Sequence, residues 1–231
     1  MVQFHNNIQD FLNCKSSHCL ESFCIARNLL GNLFDLFIAG SDTTSSSLEW
    51  VTYYLVKHPQ VQEKLQEEID VIIGQERSPS LNDRPQLVYT EAVIYEVLRI
   101  ASVVPLGAFH RALEDEAFNG YMIPKDTMIV SNIYAAHHDP LVWDDPENFR
   151  PERFIGADGK LQDVDKFIAF SAGKRDCIEK AFARNQLLLY LTAIMQNYNV
   201  KLVGKLAPPD GFGITVVPKP FQVIFTKRNN D

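Results

Sequence analysis

The stretch Phe170-Ser171-Ala172-Gly173-Lys174-Arg175-Asp176-Cys177 runs straight into a helical pattern that begins at Ile178, and it constrains this 231-residue chain more than any other. A single sulfur sits where a glycine-bearing bend meets a helix start. Backbone N–H groups and the positive end of the helix dipole favour a thiolate over a thiol there, which makes Cys177 a candidate metal ligand. Phe170 supplies an apolar wall, Gly173 permits a tight turn, and Arg175 can pair with an anionic group on whatever the sulfur holds. A cysteine in this setting can also be a buried structural residue behind a basic turn. The residues alone leave both readings open.

With 46% hydrophobic and 22% charged residues, the composition is that of an ordinary globular chain, long enough for one large domain or two small ones. The net charge of -7 and the lack of a basic stripe argue against a nucleic-acid groove. No charged start leads into an apolar run with a cleavage site, and no run of 18 or more uncharged apolar residues occurs, so neither a signal peptide nor a spanning helix is expected. The longest apolar run, Leu187 to Met195, fits a buried helix. Cys14, Cys19 and Cys24 match no zinc or disulfide spacing and read as reduced thiols in a cytosol-facing protein.

Residues 1–19 are polar and read as an irregular N-terminal segment. From Leu20 to Lys57 the pattern is helical and, up to Gly40, apolar nearly all round, the mark of a core helix. Within it, Ala39-Gly40-Ser41-Asp42-Thr43-Thr44 places an acid and hydroxyls where the ladder can open locally, although a solvent-facing turn explains them as well. His58-Pro59 starts a second helix, which Gly74 stops. A polar loop from Gln75 to Pro85 precedes a third, over Leu87–Leu98. There Glu96 and Arg99 stand three apart on one face, either a surface ion pair worth under about 1 kcal/mol or, given the apolar neighbours, a buried pair.

Val103 to His110 reads as an extended apolar segment. Phe118-Asn119-Gly120-Tyr121 and Ile123 to Thr127 are turn signals beside short strands, with Met128, Ile129 and Val130 on the return. A proline-punctuated extended meander leads to Phe154. His137 and His138 beside Asp139 do not read as a metal site, because neighbouring side chains on extended backbone point to opposite faces. A mostly apolar helix follows Cys177, and Asn199–Val203, Phe212–Val217 and Phe221–Phe225 alternate like a closing β-hairpin. The class is mainly α with small β-sheets.

Phe170, Gly173, Arg175 and Cys177 together resemble the haem-ligand loop of the cytochrome P-450 haem-thiolate monooxygenases. Ala39 to Thr44 is similar to that family's distal helix, and Glu96-x-x-Arg99 with Pro151-Glu152-Arg153-Phe154 to its buried network. These motifs stand in the family order. The resemblance implies the C-terminal haem-binding half of that fold, of microsomal drug-metabolising type, as a partial haem domain over residues 20–231. It implies haem b with Cys177 as axial iron ligand, Phe170 and Gly173 beside it, and Arg175 and His110 near the propionates. Asp42 and Thr43 would relay protons, and Ala39, Val104, Leu106, Phe212 and Ile214 would line the substrate pocket. Glu96, Arg99 and Arg153 would brace the thiolate loop, and loss of one partner would cost about 3–5 kcal/mol. Two positions depart from the family pattern: Glu179 and Asp126 stand where it has Gly.

The implied reaction inserts one atom of O2 into a small apolar organic substrate, with electrons from an NADPH-dependent flavoprotein reductase that Lys174 and Lys180 could help dock. The implied location is the cytosolic face of the endoplasmic reticulum membrane. The membrane anchor, most of the N-terminal sheet, the propionate-binding Trp and Arg and the helices roofing the substrate are expected to be missing from this chain. The alternative is a truncated, non-catalytic relic that binds haem weakly or not at all. A helical interaction module is a third class.

Overall fold

The structure is a computed structural model that describes residues 17–209 and 213–228, with side chains described from Arg27 on. Helix α1 spans Ser17–Lys57, α2 Pro59–Ile72, α3 Val88–Ala101, α4 Ile133–His137 and α5 Lys180–Asn197. Pro59 occupies the first turn of α2, where its missing N–H leaves no bond unmade, and Gly74 follows the helix at φ +71°. Three-residue and four-residue 3-10 turns sit at Leu81–Asp83, Pro151–Phe154 and Gly173–Arg175.

The chain divides into two compact units, Met1–Asp42 and Thr43–Asp231, with the boundary inside α1. In the first unit Leu29, Leu30, Leu33, Phe34 and Ile38 are exposed, and Phe37 is 73% exposed. This corrects the core-helix expectation for that stretch: an all-apolar pattern states what a helix can bury, and covering it takes neighbouring chain. The helix also runs unbroken through Ala39 to Thr44, so the ladder does not open there. Hydroxyls do back-bond, Ser47 Oγ donating to the Thr43 carbonyl at 2.7 Å and Thr52 Oγ1 to that of Leu48 at 2.9 Å, yet they leave the helix intact.

In the second unit, Trp50, Tyr53 and Leu55 of α1 form one core with Leu65 and Ile69 of α2, Val93 and Val97 of α3, and Leu187, Leu188, Leu191 and Met195 of α5. A smaller cluster joins Ala92, Tyr95, Trp143 and Phe154. Three two-stranded antiparallel sheets complete the fold. Strands β1 (His110–Arg111) and β4 (Met128–Ile129) pair, as do β2 (Glu116–Phe118) and β3 (Tyr121–Ile123), and β5 (Tyr198–Val203) and β6 (Gln222–Lys227). Asn119 and Gly120 make the β2–β3 turn with φ of +49° and +86°, the primed geometry whose twist suits a hairpin. Asp126 takes φ +67°, a conformation Asp tolerates and Gly prefers.

The stretch from Gly213 to Val217 does not form the expected strand. Its backbone is satisfied by core groups instead: Val216 N–H donates to the Val103 carbonyl at 2.8 Å, and Trp50 Nε1 donates to the Val216 carbonyl at 2.8 Å. No helix among the described residues is long and apolar enough to cross a membrane.

Candidate functional site

Cys177 is exposed and free, and it lies just ahead of α5. That helix starts at Lys180, later than the expected Ile178, because the Cys177 carbonyl accepts the Lys180 N–H in a turn at 3.3 Å and Glu179 takes the cap position. The preceding bend is closed on itself. Cys177 N–H donates to the Phe170 carbonyl at 2.9 Å and Ser171 N–H to that of Ile168 at 2.8 Å. Ser171 and Gly173 have φ of +63° and +78°. Around the Gly173 Cα there is open space, so the backbone angle is what selects glycine there. Phe170 is half-buried, Arg175 is exposed, and Lys180 pairs with Asp176 at 2.7 Å.

Among the described residues no group of three or more His, Cys, Asp or Glu side chains could hold a metal ion. A protein-built zinc site needs three or four such ligands, whereas a single soft sulfur suits an iron whose equatorial ligands come from a macrocycle. Ile178, the residue after Cys177, is 89% exposed, and Phe182 in the first turn of α5 is exposed too, apolar surface of the kind a flat porphyrin covers. The donor set and its surroundings therefore fit haem.

The structure brings Glu96, Arg99 and Arg153 together in the interior. Glu96 and Arg99 are both 0% exposed. Arg99 Nε and Nη2 donate to the two Glu96 oxygens at 2.8 and 2.9 Å, and Arg153 Nε and the Arg150 N–H donate to Glu96 Oε1 at 3.0 and 2.9 Å. The remaining guanidinium hydrogens reach carbonyls. Arg99 bonds those of His137 and Pro146 at 2.7 and 2.9 Å, and Arg153 bonds those of Asp144, Asp145 and Asn148 at 2.6, 2.9 and 3.1 Å. One carboxylate thus anchors α3 to the whole Asp144–Phe154 segment.

Sequence reasoning missed two members of this framework. His137 ends α4, so the extended backbone expected there is corrected to a helical turn. The side chain is fully buried, and burial with the nearby Arg99 charge pushes its pKa down to about 3. Ile168 N–H donates to Nε2 at 3.1 Å, which puts the ring proton on Nδ1, 3.2 Å from Ser102 Oγ. Ser102 in turn donates to the Arg99 carbonyl at 2.8 Å. The second is Glu91, buried on α3, whose carboxylate takes Arg184 of α5 at 2.6 Å and Arg84 at 3.1 Å, while the Arg184 guanidinium stacks 4.6 Å from the Tyr95 ring. Neither spacing carries a signal, since each pair is set by the packing of α3 against distant chain.

A cavity of about 840 Å³ opens in the second unit, with Trp50, Tyr54, Leu106, Phe149, Ile214 and Val216 in its wall. It unites Leu106 and Ile214 of the substrate-facing set; Val104 is half-buried and packs on the main core. Cys177, Arg175, Phe170 and Gly173 do not line it. His110 lies half-buried in β1, opposite Ile129. Ala39 and Asp42 are exposed in the first unit, and Thr43, half-buried, opens the second. Phe212 lies outside the described residues, as do Cys14 and the side chains of Cys19 and Cys24.

Comparison with known proteins identifies the family. Rat (Rattus norvegicus) cytochrome P450 2B2 is 41% identical over 220 residues, covering 93% of this chain and 44% of its own length. Human (Homo sapiens) cytochrome P450 2U1 is 43% identical over 197 residues, covering 84% and 36% respectively. Rat cytochrome P450 2U1 is 40% identical over 233 residues, covering 96% and 44%. The chain spans less than half the length of these relatives. The model of the family described as Cytochrome P450 matches residues 5–225, almost the entire sequence from before α1 to within β6, and with that match the chain belongs to the cytochrome P450 family.

Proposed function

We propose that this chain is the haem-bearing part of a monooxygenase that places one atom of O2 in a small apolar organic substrate and releases the other as water. Its electrons come from an NADPH-dependent flavoprotein reductase. The observation that carries the reading is the exposed Cys177 at the head of α5 in a chain of cytochrome P450 sequence. Haem b, when bound, supplies the iron chemistry of oxygen activation, which no side chain provides.

The chain's own residues bind, orient and move protons. Cys177 would hold the iron through its sulfur. Arg175 and His110 would bind the porphyrin carboxylates, and Phe170 and Gly173 shape the bend around the sulfur. The Asp42 carboxyl and the Thr43 hydroxyl would relay protons for the reaction. Leu106 and Ile214, which share the cavity wall, would meet the substrate together with Val104. Glu96, Arg99 and Arg153 hold the framework behind the cysteine loop. The reading carries with it residence at the cytosolic face of the endoplasmic reticulum membrane.

The test is optical. The chain is given haemin, reduced with dithionite and exposed to carbon monoxide; a strongly red-shifted Soret band is expected, and Cys177→Ala removes it. A band that survives Cys177→Ala overturns the ligand assignment. No band in the parent chain overturns the monooxygenase in favour of a non-catalytic relic, the reading that Glu179 favours, half-buried where the family carries Gly.

A further inference from the structure

We propose that His137 is a positioning residue for Cys177, transmitting the placement of the buried Glu96–Arg99 pair to the cysteine bend through a continuous run of hydrogen bonds. The proposal rests on the reading of Cys177 as iron ligand and deepens it.

The run can be followed atom by atom. Arg99, fixed by two bonds that it donates to Glu96, also donates through Nη1 to the His137 carbonyl at 2.7 Å. The same histidine takes the Ile168 N–H on Nε2 at 3.1 Å. The Ile168 carbonyl accepts the Ser171 N–H at 2.8 Å, and the neighbouring Phe170 carbonyl accepts the Cys177 N–H at 2.9 Å. Ring contacts follow the same course. His137 stacks on Phe167 with centroids 5.5 Å apart and planes at 12°, and Phe167 meets Phe170 at 6.2 Å.

What makes the histidine specific is that both ring nitrogens are committed. Nδ1–H faces Ser102 Oγ at 3.2 Å, and that hydroxyl returns to the Arg99 carbonyl. The ring is therefore held at two edges while its free acceptor meets a single N–H on the cysteine segment. The bend itself has little else to hold it: Gly173, Lys174, Arg175, Cys177 and Ile178 are all exposed. An element with few buried contacts takes its position from its attachments, and upstream of the sulfur these are the packing of Phe167, Ala169 and Phe170 on the core and the hydrogen bond to His137.

The variants that separate a positioning role from a purely structural one are His137→Phe and His137→Gln. Phe keeps the stacked ring and removes the acceptor; Gln keeps an acceptor at the reach of Nε2. Residue-resolved amide exchange is read on the haem-free chain, with Leu65→Ala, a core truncation in α2, as a control for general destabilisation. In His137→Phe, exchange at the Ile168 and Cys177 amides is expected to rise about tenfold or more above the change in Leu65→Ala, and His137→Gln to restore most of the protection. Should His137→Phe not fold, His137→Asn, whose amide is one bond shorter, replaces it. With haemin, dithionite and carbon monoxide, the acceptor-less variant is expected to lose part of the red-shifted band that His137→Gln keeps. Unchanged protection at Cys177, or a rise no greater than in Leu65→Ala, overturns the proposal. If the parent chain shows no such band, the iron-ligand reading falls while amide exchange still decides whether His137 sets the bend.

Discussion

Replacing Glu96 by Gln removes one negative charge from the interior and changes almost nothing in volume. The carboxylate is fully buried and accepts from Arg99 twice, from Arg153 and from the Arg150 N–H. A glutamine offers one oxygen and turns an N–H2 toward these donors. Removing one partner of a buried ion pair costs about 3–5 kcal/mol, and here the counter-charge of two guanidiniums disappears at once. Five carbonyls still accept from Arg99 and Arg153, which limits the loss, so the expected value is the upper end, about 5 kcal/mol. Domains are stable by only about 5–15 kcal/mol, so this is a third or more of the whole. In equilibrium urea unfolding with m of about 2 kcal/mol/M, the midpoint falls by about 2.5 M at constant m. Arg153→Met leaves the Glu96–Arg99 pair intact and should cost about 3 kcal/mol. An apolar replacement of all three side chains should recover part of the Glu96→Gln loss, because no buried charge is then left without a partner. A Glu96→Gln midpoint within about 0.5 M of the parent refutes the reasoning.

Acid should weaken the protein through His137, whose pKa lies at about 3 in the fold and about 6.5 unfolded. Its contribution is complete above the unfolded value and is lost as pH falls toward the folded one, about 2 kcal/mol between pH 7 and pH 5 and about 5 in all. Urea midpoints at the two pH values should show a steeper fall for the parent than for His137→Gln, which has nothing to titrate, and equal slopes contradict the assignment. Gly120→Ala puts a Cβ at φ +86° in the β2–β3 turn and should cost about 1–2 kcal/mol, measured as a lower urea midpoint.

Much of the architecture can be read from local chemistry. Pro59 and Gly74 bracket α2, Asn119-Gly120 closes a hairpin, and the periodicity of Val93, Val97 and Leu98 marks the buried side of α3. Each is a short-range rule that needs no partner. Two of the expectations that failed depended on distant chain. Leu33, Phe34 and Phe37 have the pattern of a core helix and are exposed. Ile214 to Val217 alternate like a strand, yet Val216 spends its hydrogen bonds on Val103 and Trp50.

The site divides along the same line. Residue order made Cys177 a candidate behind its glycine bend, and it was enough to pair Glu96 with Arg99, because a helical turn puts positions three apart on one face. Arg153 could be joined to them only through likeness to a family. Folding decided that their carboxylate is wholly dry, that His137 stands between it and the cysteine segment, and that Glu91 ties α3 to Arg184 beyond the sulfur. Those contacts span 31 to 93 positions of sequence, and no spacing rule reaches so far. Burial turns an ordinary ion pair or histidine into a fixed point of the molecule, and burial is a property of how helices pack.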